Sequence, residues 1–226
     1  MQLSVPPLAG LSILVAATIV AAETGTTLPG HEHHSSPIDT EFLQRQWPRQ
    51  RVRELEVGRY PVRWRERASR KEGIFAGVRF EAPLERRAVW ELSNDYNDVG
   101  HNVPGVVAVR YLERSETHEV IQIDAKVLWK KLTLNFEVEK EPPRIIRFRL
   151  VNAALGEYRG ICSYEEQPTS VTGQPVGTTV ELTTWLKPAR PVPMGLLLMV
   201  ERMALLQGVR EFLKACAQHQ TAGSRL

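Results

Sequence analysis

Apolar and polar side chains alternate over most of the second half of this chain, which predicts antiparallel β-strands. The clearest example is KLTLNFEVE at residues 131–139, where every second side chain is apolar. Comparable patterns predict strands at residues 73–82, 106–112, 118–129, 131–139, 144–151, 155–166 and 178–188. The alternation therefore indicates about seven strands in one sheet. PVRWRER at residues 61–67 indicates a half-buried edge strand before them.

Three segments have helical rather than strand-like patterns. Residues 83–92 place a proline at the first turn of a short helix, and residues 93–105 predict a second short helix before the next strand. From about residue 194 to 217, apolar side chains recur at steps of three and four, which predicts one apolar helix face formed by Met199, Met203, Leu206, Val209, Leu213 and Cys216. A long terminal helix behind antiparallel strands predicts an α+β domain.

The first third of the chain differs in composition from the rest. Residues 8–22 form an uncharged apolar run with small side chains before Ala22, which predicts a signal peptide at residues 1–22 and export to the periplasm or the exterior. An uncleaved membrane anchor is the alternative, although the run is short for a membrane span. Residues 23–44 are rich in Ser, Thr, Gly, Pro and His, which predicts a flexible linker. Residues 45–72 follow as a basic extension.

The chain has 226 residues, of which 42% are apolar and 24% charged, as in ordinary globular proteins. The net charge is only +3, but residues 45–71 hold ten basic and three acidic side chains. This segment can attract an anionic membrane surface or an acidic partner, or it can be a solvated strand at a sheet edge. Because export is predicted, we expect no nucleic-acid partner and favour an anionic membrane.

Neither the cysteines nor the histidines predict a metal site or a cofactor. Cys162 and Cys216 could form a disulfide in an oxidising compartment, but two cysteines make no framework, and two buried free thiols are favoured. The HEHH cluster at residues 31–34 could bind a transition metal through imidazoles, but a solvated linker is favoured. We find no phosphate-binding glycine loop and no HExxH motif, so no metal or cofactor is assigned.

Three stretches carry a family resemblance through their order and spacing. Residues 80–113 contain a strand ending in Ala-Pro, an apolar-Trp pair, an Asp-Tyr turn and a proline before the next strand. Residues 141–166 contain a strand followed by a Gly–aromatic–Gly run, and residues 177–193 lead into the terminal helix. Together they resemble the START-like helix-grip superfamily, and most closely its polyketide cyclase/dehydrase and coenzyme Q-binding families. The resemblance implies a curved antiparallel sheet of about seven strands around the C-terminal helix, in a domain at residues 73–219.

The helix-grip fold leaves a cavity between sheet and helix, and such cavities are mostly apolar with a few placed polar groups. The resemblance therefore implies non-catalytic binding, extending to transfer, of a hydrophobic small molecule such as a lipid, isoprenoid or quinone. Tyr96 and His101 rank first as cavity residues because they fall in the predicted short-helix region over the cavity mouth. The full set of candidates is Tyr96, His101, Tyr111, Trp129, Tyr158, Trp185, Met199 and Met203.

Two other functions stay open. The first is a cyclase or dehydratase acting on a polyketide-like substrate, with His101 as a general base oriented by Asp95. No nucleophile–base–acid arrangement is recognisable, so no catalytic residue is assigned. The second is a protein-interaction module resembling the ribosome-associated toxin branch of the same superfamily, which would require a chain that stays in the cytoplasm.

Overall fold

The computed structural model describes residues 37–46, 52–94, 106–127, 130–151, 156–167 and 177–223. The helices are α1 (Glu41–Gln46), α2 (Arg86–Ser93) and α3 (Met194–Gly223). The strands are β1 (Val52–Val57), β2 (Tyr60–Ser69), β3 (Gly73–Ala82), β4 (Val106–Arg114), β5 (His118–Val127), β6 (Lys130–Glu141), β7 (Ile145–Leu150), β8 (Gly156–Glu166) and β9 (Thr178–Pro188).

All nine strands form one antiparallel sheet in the order β1-β2-β3-β9-β8-β7-β6-β5-β4. Strands β4 to β9 follow one another as neighbours, and β9 returns to pair with β3. The connection between β3 and β4 contains α2 and joins β3 to the far edge strand of the sheet. Strands β3 to β9 are the predicted seven, and the predicted α+β helix-grip class is confirmed. The second short helix predicted in residues 93–105 falls almost entirely outside the described residues.

The long helix α3 packs against β1, β2, β3 and α2, and we call the sheet face toward α3 the inner face. The buried side of the helix includes Leu197, Glu201, Leu205, Val209, Phe212, Leu213 and Cys216. The predicted apolar face is correct in the second half of α3 but wrong in the first half. There Met199 and Met203 are 50% and 64% exposed. Among the described residues, no helix is both long and apolar enough to cross a membrane.

Residues 37–46 and 52–69 pack against the rest of the fold. Strand β2 lies between β1 and β3, so the prediction that it forms the sheet edge is wrong, because β1 occupies that place. Ile38 and Leu43, which fall in the predicted flexible linker, are 3% and 0% exposed. Leu43 packs with Phe75 and Ile161 on the outer face of the sheet, opposite α3. The described end of the linker and the β1–β2 hairpin are thus packed parts of the fold rather than appendages.

Gly160 on β8 makes room for an aromatic side chain from the neighbouring strand. It pairs with Phe148 of β7, and a Cβ at position 160 would overlap the phenyl ring of Phe148. Phe148 is fully buried, so the ring has little freedom to move aside. The absence of a side chain at residue 160 is therefore a packing requirement.

We expect Gly160→Ala to lower the free energy of unfolding by about 1 to 3 kcal/mol, because it overpacks this contact. Urea denaturation monitored by circular dichroism measures the change. Gly195→Ala in the first turn of α3 is the control, since a Cβ there meets no atom within 4 Å. Alanine is also the better helix former, so the control should unfold at the same or slightly higher urea concentration. Equal stability of Gly160→Ala and the native protein would contradict the packing argument.

Candidate functional site

One row of inner-face side chains crosses the sheet. Hydrogen-bonded strand pairing aligns Glu119, Val138, Phe148, Gly160, Thr184, Ala76 and Glu66, on β5, β6, β7, β8, β9, β3 and β2. The middle of the row is small, and an acidic residue stands near each end. Because paired residues on adjacent strands project to the same face, all seven side chains are directed to the side of α3.

A carboxyl group from α3 lies over the middle of this row. Glu201 is 1% exposed and occupies the buried side of the helix between Leu197 and Leu205, one turn away in each direction. Its Oε1 accepts hydrogen bonds from Thr184 Oγ1 at 2.7 Å and from Tyr158 Oη at 3.2 Å. Within the described part of the chain, its other oxygen, Oε2, has no hydrogen-bond partner. A buried carboxyl oxygen without a partner is rare, since its desolvation is not compensated.

Burial raises the pKa of Glu201 to about 7, against the lowering effect of the hydrogen bonds from Thr184 and Tyr158. No ion pair to Glu201 is found in the described ranges. The carboxyl group is therefore largely protonated in mildly acidic solution and becomes a buried anion above neutral pH. Such a group can donate a hydrogen bond, accept one, or move a proton near neutral pH.

A charged cluster beside Glu201 holds the helix to the sheet. Both carboxylate oxygens of Glu66 on β2 accept hydrogen bonds from Arg202 of α3, whose Nε lies 2.9 Å from Oε2. Trp64 Nε1 donates to the same oxygen at 2.8 Å, and Arg53 Nη1 lies 3.5 Å from Oε1. Burial pushes the pKa of Glu66 upward, but these hydrogen bonds and the two arginine charges outweigh burial, so the pKa is lowered.

A buried ion pair stands at the far side of the sheet. Glu119 on β5 is 1% exposed, and Lys140 on β6 places its Nζ 2.7 Å from Glu119 Oε2. Arg114, on β4, lies 3.3 Å from Oε1 and is itself largely in solvent. Burial lowers the pKa of Lys140, although hydrogen bonding to Glu119 opposes this effect. The interior therefore contains charged or polar groups at both ends of the row and Glu201 over its centre.

Two of the predicted cavity residues have interior or half-buried positions. Tyr158 is fully buried, bonds Glu201, and contacts the rings of Phe136 and Phe148, whose centroids lie 6.4 and 5.9 Å away. Tyr111 on β4 is half-buried, with the Arg114 guanidinium 4.5 Å from its ring centroid. The predicted site residues Tyr96, His101 and Trp129 lie outside the described residues.

Three other predicted cavity residues do not face the interior. Trp185 lies on the outer face with Phe42 and Phe75, at ring-centroid distances of 5.2 and 6.3 Å, and donates from Nε1 to the Glu72 carbonyl. Its neighbour Thr184 faces α3, and successive strand side chains point to opposite faces, so Trp185 must point away. Met199 and Met203 are on the exposed side of α3. The structure contradicts the placement of these three side chains in the interior.

Some arginines of the basic stretch are paired with carboxylates where the stretch is described. On the outer face, Arg63 lies 3.7 Å from Glu54, and Arg67 forms an ion pair with Glu72. Exposed pairs of this kind contribute little stability, but they reduce the charge available to an anionic surface. A membrane partner for residues 45–71 stays a prediction.

The cysteines and the histidine cluster carry no assigned chemistry. Cys162 and Cys216 are buried free thiols, and burial raises the pKa of each to about 12. The HEHH cluster lies outside the described residues. In the described part of the chain, no three His, Cys, Asp or Glu side chains cluster as metal ligands would.

The sequence pattern around Glu201 indicates a buried acid, although the predicted apolar helix face did not include this residue. In MGLLLMVERMALL, a single acidic residue is flanked at four-residue steps by Leu197 and Leu205. An acid within an apolar stripe is either exposed by a shift of the helix face or buried with partners. Glu119 gives a similar signal, since it shares the strand face of Ile121 and Ile123.

Comparison with solved structures shows the fold. No known family model and no curated protein matches the sequence. Human STARD10 superimposes with a TM-score of 0.61 at 10% identity, covering 87% of this chain and 86% of STARD10. A STAR-related lipid transfer protein from Xanthomonas axonopodis gives 0.57 at 12% identity, covering 74% and 98%. A START superfamily protein from Mycobacterium smegmatis gives 0.53 at 11% identity, covering 64% and 97%. The chain therefore has the START-like helix-grip fold.

Proposed function

We propose that this protein binds a hydrophobic small molecule between the inner face of the sheet and α3, without changing it chemically. The observation that carries the proposal is Glu201, a fully buried carboxyl group with one oxygen that no described residue satisfies. An unfilled hydrogen-bonding position in an apolar interior is the feature expected where a mostly apolar ligand places its one polar group. Two of the similar structures are named for lipid transfer or for the START superfamily, which supports the same class of ligand.

The inner face carries further buried apolar residues on strands other than those that α3 mainly contacts. Helix α3 packs mainly on β1, β2 and β3. The inner sides of β5, β6 and β7 are lined by buried apolar residues: Ile121, Ile123, Ala125, Leu134, Phe136, Val138, Ile146 and Phe148. An apolar ligand bound against these strands would transfer its own apolar area out of water, which is worth roughly 25 cal/mol per Å². Glu201 and Tyr158 would then stand at one side of the ligand.

Native mass spectrometry of the protein purified from its own compartment, followed by organic extraction, tests this function. We expect a co-purifying apolar molecule. Ile123→Trp fills the inner face of β5, so its occupancy should fall at least about tenfold. Val107→Trp is the control, because Val107 is 61% exposed on β4. Circular dichroism verifies that both variants fold.

Three outcomes would count against the proposal. An empty native protein after gentle purification would remove its basis. Equal occupancy in Ile123→Trp would place the ligand elsewhere. Chemical conversion of the extracted molecule on incubation with the protein would favour the cyclase or dehydratase alternative instead. Export, membrane transfer and the identity of the ligand stay separate predictions.

A further inference from the structure

The hydrogen bonds around Glu201 determine where its acid proton can be. Thr184 Oγ1 and Tyr158 Oη both approach Oε1, at 2.7 and 3.2 Å. A proton on Oε1 would cost that oxygen part of its capacity to accept these two bonds, whereas a proton on Oε2 costs none. Thr184 Oγ1 also lies 3.4 Å from the Ala76 carbonyl oxygen. With Thr184 and Tyr158 donating to Oε1, the neutral acid carries its O–H at Oε2, the oxygen without a described partner.

Several arginines on α3, β1 and α2 are paired with carboxylates other than Glu201. Arg202, the next residue on α3, is bonded to Glu66 on β2, and Arg53 on β1 lies near the same carboxylate. On α2, Arg86 and Arg87 pair with Glu166 and Glu91. Without a described cation of its own, the buried carboxyl group favours the neutral form, because an unpaired buried charge is costly.

We propose that Glu201 donates a hydrogen bond from Oε2 to a carbonyl-type oxygen of the bound apolar molecule, an inference that rests on the ligand-binding function proposed above. Both hydroxyls lie within hydrogen-bond distance of Oε1, so an acid O–H at Oε2 is the donor of Glu201 that has no described partner. A ligand complementary to a free donor carries an acceptor, as in a ketone, an ester or a quinone. A ligand with a basic amine would instead require the ionised carboxylate.

The two chemistries predict opposite pH dependences. Besides Glu201, the titratable groups facing this region from the packed elements are Tyr158 on β8, the Glu66–Arg202–Arg53 cluster, and the thiols of Cys162 on β8 and Cys216 on α3. Burial raises the pKa of both thiols to about 12, so they stay protonated, and Glu66 is held ionised by its arginines. Glu201 is therefore the group expected to titrate near pH 7. A carbonyl ligand should bind more weakly as pH rises, and an amine ligand more tightly.

The test compares a long-chain methyl ketone, the alkane of equal length and the matching primary amine, as labelled compounds in equilibrium binding. At about pH 5.5 the native protein should prefer the ketone over the alkane about five- to tenfold, as one hydrogen bond gives, and lose this preference at about pH 8.5. Glu201→Gln keeps a donor and should show the preference at both pH values. Glu201→Leu should show it at neither.

The outcomes separate this inference from the ligand-binding function. If ketone and alkane bind equally in the native protein and in Glu201→Leu, Glu201 is not the contact, although apolar binding stands. If the amine is preferred and its affinity rises with pH, the carboxylate is the recognising form and the carbonyl proposal is overturned. If none of the three compounds binds, the proposed function itself fails. Thermal melting of each variant confirms that the comparison is made on folded protein.

Discussion

Replacing Glu119 with alanine is expected to lower the free energy of unfolding by about 3 to 5 kcal/mol, since it leaves the Lys140 ammonium buried without its carboxylate. Lys140 Nζ lies 2.7 Å from Glu119, and the two side chains are 7% and 1% exposed. Burial already lowers the pKa of Lys140, and the hydrogen bond that Lys140 donates to Glu119 opposes this effect. Urea denaturation at neutral pH measures the loss.

The matched control for Glu119→Ala removes both charges together. In the double variant Glu119→Leu with Lys140→Met, no unpaired charge is left in the interior, and such replacements are often neutral or stabilising. The double variant should therefore recover most of the stability lost in Glu119→Ala. If Glu119→Ala unfolds at the same urea concentration as the native protein, the ion pair is not buried in solution as described.

The second large effect is a pH dependence that arises from Glu201. Its folded-state pKa of about 7 is above its ordinary value of 4.5, because the carboxyl group is buried. A raised pKa means that the contribution to stability is fully present below pH 4.5 and is lost as pH rises through about 7. The loss is roughly 3 kcal/mol by linkage. Glu201→Gln cannot ionise, so its stability should gain by that amount relative to the native protein between these pH values.

Urea denaturation of both proteins from mildly acidic to mildly alkaline pH checks the prediction for Glu201. Glu66 acts in the opposite sense, because a lowered pKa gives stability that is lost as pH falls. Subtracting the free energy of unfolding of the native protein from that of Glu201→Gln at each pH cancels the contribution of Glu66, because both proteins contain it. Glu116→Gln, at an exposed residue after β4, is the control and should run parallel to the native protein. A parallel curve for Glu201→Gln would show that Glu201 does not titrate as a buried group.

The local alternation of apolar and polar residues was enough to predict most of the sheet. Strands β3 to β9 have an inner face that is apolar and an outer face that is largely polar, so a period of two is visible in the sequence. Strand β1 was missed because only Val57 at its end is fully buried and its outer positions are charged. An edge strand of this kind has no apolar face for the pattern to detect.

The face of the sheet on which a buried side chain lies was harder to predict, because both faces have buried apolar residues. Trp185 was one of the predicted cavity residues, yet α1 creates a second apolar contact on the outer face, and Trp185 lies in it. That contact depends on Phe42 and Leu43, which lie in a stretch whose composition suggested a linker. Composition averages over many residues, whereas burial here is decided by two side chains at one turn of helix.

The candidate site was predicted least well. Aromatic and methionine residues were favoured as pocket residues, and Tyr158 is the predicted residue that does contact Glu201. Hydrophobicity alone does not select Glu201, because an acid interrupts the apolar stripe of the helix in which it lies. Met199 and Met203 were favoured because they are apolar. Hydrophobicity alone cannot tell which of two adjacent helix sides faces the sheet.

The hairpin of β1 and β2 has a practical consequence for work on the separate domain. A chain shortened to begin at residue 73, where the similarity in sequence pattern starts, would lose the strand that pairs with β3 from Gly73 to Phe80. The freed edge of β3 is long and apolar, and the aromatic side chains beneath α1 would also be uncovered. Open edges of this kind recruit other chains, so we expect a truncated protein to self-associate more readily than the full chain.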